Sequence, residues 1–202
     1  MNAWDLSLLH QINTEWSSPV LDWLMPALSA IEAWLPFIIA AVLLTAWRGG
    51  KKARVMLLCL GIAIGLGDGV ISNTMKKTIG RVRPRDAMEG VTVRDLGNAS
   101  PAFMRLFEKP VVKPCEPNGD PRGKSFPSSH TVNLFAAATV IALFYRRIGF
   151  VMYLLAGGIA YSRIYCGAHW PSDIPPSMAL GVLIGLCVVW AVARIKPRLF
   201  AD

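Results

Sequence analysis

Charge is in short supply in this chain. Asp, Glu, Lys and Arg make up only 17% of its 202 residues, against about a quarter of an ordinary soluble domain. A water-surrounded enzyme is disfavoured on that count. Acidic groups are the scarcer sign, 13 against 21 basic, which leaves a net charge of +8. The basic residues fall in separate clusters between apolar runs rather than along one face, so nucleic acid is a poor explanation for the surplus. Cysteine occurs four times, as Cys59, Cys115, Cys166 and Cys187, with no C-x-x-C pair. That spacing argues against a disulfide scaffold and a structural zinc site. Histidine occurs three times, as His10, His130 and His169. Internal repeats and low-complexity tracts are absent. The first residues lack a basic region followed by a short apolar core and a small-residue cleavage site, so they do not read as a removable signal peptide.

Hydrophobic residues, in contrast, make up 53%, and the mean hydropathy is +0.43. The length suits one domain, residues 1–202. Five stretches have the low charge of membrane spans: Ala33 to Trp47, Val55 to Met75, Thr131 to Tyr145, Ile148 to Ser162 and Ile174 to Ala193. Ser18 to Ile31, with Asp22 and Pro26, is a sixth candidate, either a short tilted span or an interfacial helix. Met1 to Trp16 places Leu6, Leu9, Ile12 and Trp16 at helical spacing. The expected fold class is all-α, a polytopic membrane bundle of about six helices with a long extracytoplasmic loop between the third and fourth.

Orientation follows from basic residues near span ends. Arg48, Lys51, Lys52 and Arg54 form one cluster, Arg146 and Arg147 a second, and Arg194, Lys196 and Arg198 a third. Alternating helices put all three on one side, taken as cytoplasmic. The segments around 76–129 and 161–173 then share the outer face. The loop at 85–126 carries Pro101, Pro110, Pro114, Pro117 and Pro121, which argues against a long regular element and for a cap over that face.

Three polar constellations interrupt the apolar pattern, each at a span end on that face. Lys76-Lys77-Thr78-Ile79-Gly80-Arg81-Val82-Arg83-Pro84 is the first. Lys76 and Arg83 are seven apart, so a helix presents both on nearly one face, and Pro84 ends it. Alone, the cluster reads as a basic stop at a membrane edge. The second, Ser125-Phe126-Pro127-Ser128-Ser129-His130, precedes an apolar helix whose free N–H groups could hold an anion. Alone, it reads as ordinary capping. The third runs from Ser162 to Asp173 and includes Arg163 and His169. His169 and Asp173 are four apart, which suits a carboxylate holding one ring nitrogen and freeing the other to attack. A metal pair or a helix-start turn beside Trp170 is the alternative.

Taken together, the constellations resemble the type 2 phosphatidic acid phosphatase family, with its K-x6-R-P, P-S-x-H and S-R-x5-H-x3-D patterns. Lys76, Arg83, Pro84, Pro127, Ser128, His130, Ser162, Arg163, His169 and Asp173 supply every fixed letter in order. Ser129 stands where the family often has glycine, and Asp173 is followed by Ile174-Pro175-Pro176 rather than directly by an apolar helix. The doubled proline is compatible with a first helical turn.

The resemblance implies metal-independent hydrolysis of a membrane lipid phosphate or diphosphate without a cofactor. His169 would be the nucleophile, Asp173 its orienting carboxylate and His130 the general acid. Lys76, Arg83, Arg163, Ser128 and the backbone near Ser129 would hold the phosphate. Undecaprenyl diphosphate at the outer face of a bacterial inner membrane is the first expected substrate, with phosphatidylglycerophosphate and lipid A phosphate as rivals. Beyond the bilayer and this lipid, no protein partner is indicated. Two other classes remain: a non-catalytic lipid-phosphate binder or transporter, and a metal-dependent hydrolase using His130, His169 and Asp173.

Other residues invite lesser readings. Asp68, inside a span, is expected to make a structural polar contact facing the bundle interior, with a role in shaping the site as the alternative. Cys115 and Cys166 share the outer face and could pair, although their separation cannot be read from sequence. Lys77, Arg81 and Arg85 are near enough to attract an anionic head group, and solvated or lipid-phosphate-facing roles suit them at least as well. Gly157 and Gly158 are expected to permit close helix packing, and His10 to lie at the interface.

Overall fold

A computed structural model of the chain describes residues 3–115 and 124–200. Part of the expected cap, residues 116–123, lies outside the described residues. Two short helices lead in: α1 (Ala3–His10), continued by a π turn at Gln11–Glu15, and α2 (Pro19–Ser29). Ser18 caps α2 by accepting the Leu21 N–H at 3.3 Å, and Pro19 occupies the first turn, where a missing N–H costs nothing.

Four helical segments are long and apolar enough to cross a membrane: Ile31–Arg48, Lys51–Ala87, Arg146–Tyr165 and Pro171–Ile195. Ser129–Phe144 is a shorter apolar helix. The chain is thus a mostly helical membrane protein. Of the two readings of Ser18 to Ile31, the interfacial helix suits the length of α2 better. At 11 residues, α2 rises only about 16 Å, far short of a hydrocarbon core of about 30 Å.

The first long helix, α3 (Ile31–Arg48), buries only Ala33 and exposes Leu35, Phe37, Ile38, Ile39, Leu43 and Leu44. Such an apolar perimeter is a lipid-facing surface. The next segment comprises α4 (Lys51–Ile64), a π-helical stretch (Gly65–Ser72), α5 (Asn73–Ile79) and, past Gly80, a single turn α6 (Pro84–Ala87). Gly80 closes α5 at φ +62°, a left-handed C-cap that glycine adopts without a Cβ penalty. Asp68 is exposed in the π stretch instead of facing the bundle interior, and its charge acts on Lys76. A π turn spends an additional residue per turn and so shifts the faces of the helix that a regular count would assign.

The centre of the bundle is α7 (Ser129–Phe144), which packs on α8 (Arg146–Tyr165), α9 (Ile174–Ile195) and α4. Small residues make this possible. Ala136, Ala138 and Val140 of α7 are fully buried, and a Cβ at Gly185 of α9 would stand 2.8 Å from the Thr139 Cβ. Gly157 and Gly158 do not play the packing role expected of them. A Cβ at Gly157 would meet nothing within 4 Å, and one at Gly158 only Leu28 at 4.0 Å. Helix α9 starts at Ile174 with Pro175 and Pro176 in its first turn, as the sequence suggested.

The cap adds a feature that the all-α expectation omits. Strand β1 (Thr92–Asp95) pairs antiparallel with β2 (Val111–Pro114), Val93 opposite Lys113, with a 3₁₀ turn (Ala102–Phe107) between them. Arg94 fastens the hairpin to the body. It is 3% exposed, reaches Asp22 at 2.5 Å and donates to the Asn13 carbonyl at 2.8 Å. Asn13 in turn donates to the Thr92 and Tyr165 carbonyls at 2.8 and 2.7 Å. Cys115 and Cys166 are buried and are not joined in a disulfide; the Cys115 thiol donates to the Arg85 carbonyl.

The helix directions fix the site. The three basic clusters lie at the α3–α4 and α7–α8 connections and after α9, while the C-terminal ends of α5 and α8 meet the N-terminal ends of α7 and α9 at the opposite end.

Candidate active site

Backbone and side-chain hydrogen bonds stitch the three constellations together. The Ser125 N–H donates to the Arg81 carbonyl at 2.8 Å, the Arg85 N–H to the Gly167 carbonyl at 3.1 Å, and the Trp170 indole N–H to the Val82 carbonyl at 2.7 Å. Segments far apart in sequence are thereby held in one place. A cavity of about 390 Å³ lies against them, lined by Arg83, His130, Arg163, Cys166 and Ala168 on one wall. The α2–α3 elbow and the cap residues Asp95–Asn98 form the other walls. Arg163, His169, Lys76 and Arg83 are all within electrostatic reach of His130.

The cations are held differently. Lys76, at the last turn of α5, donates to the Ser129 hydroxyl at 2.5 Å, so the serine found where glycine is usual serves as a partner for this lysine. Arg163 is placed by the last turn of α8 and anchored by Ser29, whose hydroxyl and carbonyl both accept from Nη1. Arg83 precedes Pro84 in extended backbone (φ −73°, ψ 152°), the geometry that a following proline imposes. Among the described residues, the buried side-chain polar atoms without a hydrogen-bond partner include Arg83 Nε, Arg163 Nε and His169 Nδ1. Buried donors are almost always paired. Unpaired guanidinium donors beside one cavity are therefore poised for an anion, for which the planar guanidinium is well shaped.

Ser128 is fully buried at the N-cap of α7, but its side chain makes no capping bond to the backbone. Its hydroxyl accepts from Thr131 at 3.0 Å, and its N–H is spent on the Ser177 hydroxyl at 3.0 Å. The N–H groups of Ser129 and His130 lie in the first turn of α7, where helical pairing leaves N–H groups free.

His169 is 2% exposed and sits in the turn between α8 and the 3₁₀ turn Pro171–Asp173. Gly167, at φ +70°, makes that turn possible. His169 Nδ1 lies 3.7 Å from Asp173 Oδ2, close but beyond hydrogen-bond length. Burial, opposed by Asp173 and reinforced by Arg163 and Arg83, pushes the imidazole down to about 4. It is therefore neutral at pH 7, as a nitrogen nucleophile must be.

Asp173 is held by three hydrogen bonds. It accepts from Arg81 Nη1 at 2.5 Å, the Ser125 hydroxyl at 2.5 Å and the Trp170 N–H at 3.0 Å, and it is fully buried. Arg81 is thus not the solvated or lipid-facing cation expected. Its guanidinium is turned inward by two buried carboxylates, Asp173 and, at 2.6 Å, Asp5. Ser29, Ser125, Arg81 and Asp5 also escaped the sequence reading. Arg81 and Ser125 lie within the quoted motifs, so proximity to Lys76 and Ser128 was a signal, whereas Ser29 and Asp5 carried none. Lys77 is exposed, and Arg85 lies 3.7 Å from Asp95 at the cavity wall.

Comparison with known proteins gives consistent relatives. The PAP2 superfamily profile matches residues 54–197. The bacitracin transport permease protein BcrC of Bacillus licheniformis is 38% identical over 72 residues, 36% of each chain. The lipid A 4'-phosphatase of Bacteroides thetaiotaomicron is 25% identical over 191 residues, 92% of this chain and 76% of that one. The match thus spans only about a third of the first relative's length and about three quarters of the second's. Among solved structures, Aquifex aeolicus LpxE superposes with a TM-score of 0.68 at 22% identity, covering 94% of this chain and 96% of that one. At that identity the likeness speaks for the fold.

Proposed function

The chain belongs to the PAP2 superfamily, and from that premise we propose that it is a metal-independent lipid phosphatase working through a phosphohistidine. The observation that carries the reading is the pair of unpaired buried guanidinium donors, Arg83 Nε and Arg163 Nε, that line one cavity together with His130 at the helix ends, next to the buried His169 and Asp173. Phosphoryl transfer asks for positioning and charge neutralisation rather than elaborate covalent machinery. Lys76, Arg83 and Arg163 clamp the phosphate, aided by the Ser128 hydroxyl and the first N–H groups of α7. With Nδ1 toward Asp173, the free His169 Nε2 attacks phosphorus as the bond to the lipid oxygen breaks. His130, which burial and the surrounding cations keep neutral in the empty site, takes up a proton when the phosphate anion enters among them; it gives that proton to the lipid oxygen, then takes one from the water that attacks phosphohistidine and releases phosphate. Asp173 stabilises the imidazolium character that develops. Its lone pairs are engaged by Arg81, Ser125 and Trp170, which favours an orienting carboxylate over a metal ligand.

Residues 1–202 then form one membrane phosphatase domain, with 85–126 as a cap and the active site facing the periplasm or outside. Undecaprenyl diphosphate is the substrate ranked first by the sequence resemblance. The match to a lipid A 4'-phosphatase over 92% of the chain favours a glycolipid phosphate as the second reading. The test is phosphate release by purified protein from undecaprenyl diphosphate, phosphatidylglycerophosphate and lipid A, with chelator present. Release that persists in chelator and is blocked by vanadate, a mimic of five-coordinate phosphorus, is the expected result. Loss of release in chelator would favour the metal hydrolase. Tight binding with no release from any lipid would favour a binder or transporter.

A further inference from the structure

The amino-terminal helix reaches into the machinery through one side chain. Asp5 of α1 is 1% exposed, although α1 otherwise shows Trp4, Ser7 and His10 to the surroundings. A carboxylate is rarely buried so fully unless it is paired. Asp5 Oδ1 accepts the Ser172 N–H at 2.9 Å, and Oδ2 accepts the Ser172 hydroxyl and Arg81 Nη2, both at 2.6 Å. Arg81 Nη1 goes to Asp173 at 2.5 Å and to the Ser172 hydroxyl at 2.8 Å. Every bond of Asp5 therefore ends on the residue before Asp173 or on the cation that Asp173 shares. Asp5 also lies outside residues 54–197, the stretch that the family profile covers.

We propose that Asp5 is a positioning residue for catalysis, acting through Arg81 and Ser172 to set the orientation and charge of Asp173 beneath His169. The inference rests on the reading of His169 as nucleophile and Asp173 as its orienting group. Two effects combine. First, Asp5 fixes the 3₁₀ turn Pro171–Asp173 by taking the Ser172 N–H, which otherwise has no acceptor in that turn. Second, one guanidinium divided between two carboxylates leaves Asp173 with more of its negative field for the imidazolium than it would keep as the sole partner of Arg81. Asp5 touches no reacting atom, so its loss slows the chemical step rather than weakening substrate binding.

The experiment is a double-mutant cycle on full-length protein in detergent, with lipid phosphate substrate and chelator. Wild type and His169→Ala come first: release by the former and none by the latter supports the underlying reading, and failure here is a failure of that reading alone. Asp5→Asn then lowers kcat by roughly ten- to a hundredfold, the range for losing a charge-assisted hydrogen bond, with KM within about twofold. Asp5→Glu, which keeps the charge, recovers most of the loss. Because the residues act as a unit, Asp5→Asn with Arg81→Gln is no slower than Arg81→Gln alone. Leu6→Ala, on the same helix but outside the network, lowers Tm and leaves kcat unchanged. The proposal is overturned if Asp5→Asn acts only by reducing the folded fraction, raises KM in place of lowering kcat, or multiplies with Arg81→Gln. If Asp5→Asn is not recovered folded, Ser172→Ala replaces it in the cycle; a several-fold fall in kcat at constant KM supports the proposal, and wild-type kcat overturns it.

Discussion

Asp173→Asn tests the site most directly, because it changes charge with almost no change of shape. Asp173 is fully buried and accepts three hydrogen bonds, from Arg81, Ser125 and the Trp170 N–H, at 2.5, 2.5 and 3.0 Å. A carboxamide offers one oxygen and one NH2, so one side must face donor against donor. The Trp170 N–H is fixed by the backbone, which keeps the amide oxygen there and turns the NH2 toward Arg81. Arg81 still has Asp5 at 2.6 Å, so the loss falls below the roughly 3–5 kcal/mol of a stranded buried charge. One charge-assisted hydrogen bond, about 1.5–3 kcal/mol, is the expected stability cost. Activity suffers more. An orienting carboxylate in a histidine-based site is worth up to ~10⁴ in kcat, and the 3.7 Å separation from His169 Nδ1 makes its grip looser, so about 10³ is the expected fall, near 4 kcal/mol. Phosphate release at saturating lipid, alongside rapid-quench trapping of phosphoenzyme and a Tm measurement, separates the two effects. A folded Asp173→Asn protein with kcat within tenfold of wild type would refute the orienting role.

Other outcomes follow from the same geometry. His130→Ala is expected to slow a lipid with a poor leaving group far more than an aryl phosphate with a good one; equal losses on the two would exclude the acid role. Ser129→Gly releases Lys76 from its 2.5 Å contact and costs about 1 kcal/mol of helix propensity at most. Measured kcat and KM should each stay within about threefold, and a hundredfold loss would make the hydroxyl indispensable. His169 is held down to about 4 by burial, whereas the unfolded imidazole titrates near 6.5. Between those values the unfolded chain binds the additional proton, so this group makes the fold less stable as pH falls from about 6.5 to 4 and adds no further loss below. NMR titration of the free protein should find the His169 imidazole still neutral at pH 5, and an inflection near 6.5 for it would contradict its burial between Asp173 and the arginines.

The primary structure dictated whatever depends on local chemistry. Runs without charge became long helices, Pro84 and Gly80 ended the segment that carries Lys76 and Arg83, and Pro175 and Pro176 settled into the first turn of α9. The residue types needed for phosphate chemistry were likewise visible, because so few histidines break so apolar a chain. Long-range pairing decided the rest. Arg81 has the spacing of a lipid-facing cation, and only the arrival of Asp5 and Asp173 from distant segments turns it inward. The cost of a carboxylate within a span points Asp68 to the bundle interior, yet it lies exposed in the π stretch at Gly65–Ser72. Close packing fell to Gly185 rather than Gly157 because it depends on which helix lies opposite, a relation that helical periodicity does not encode. Periodicity and capping act over a turn or two, whereas the partners of a buried charge are chosen by the whole fold.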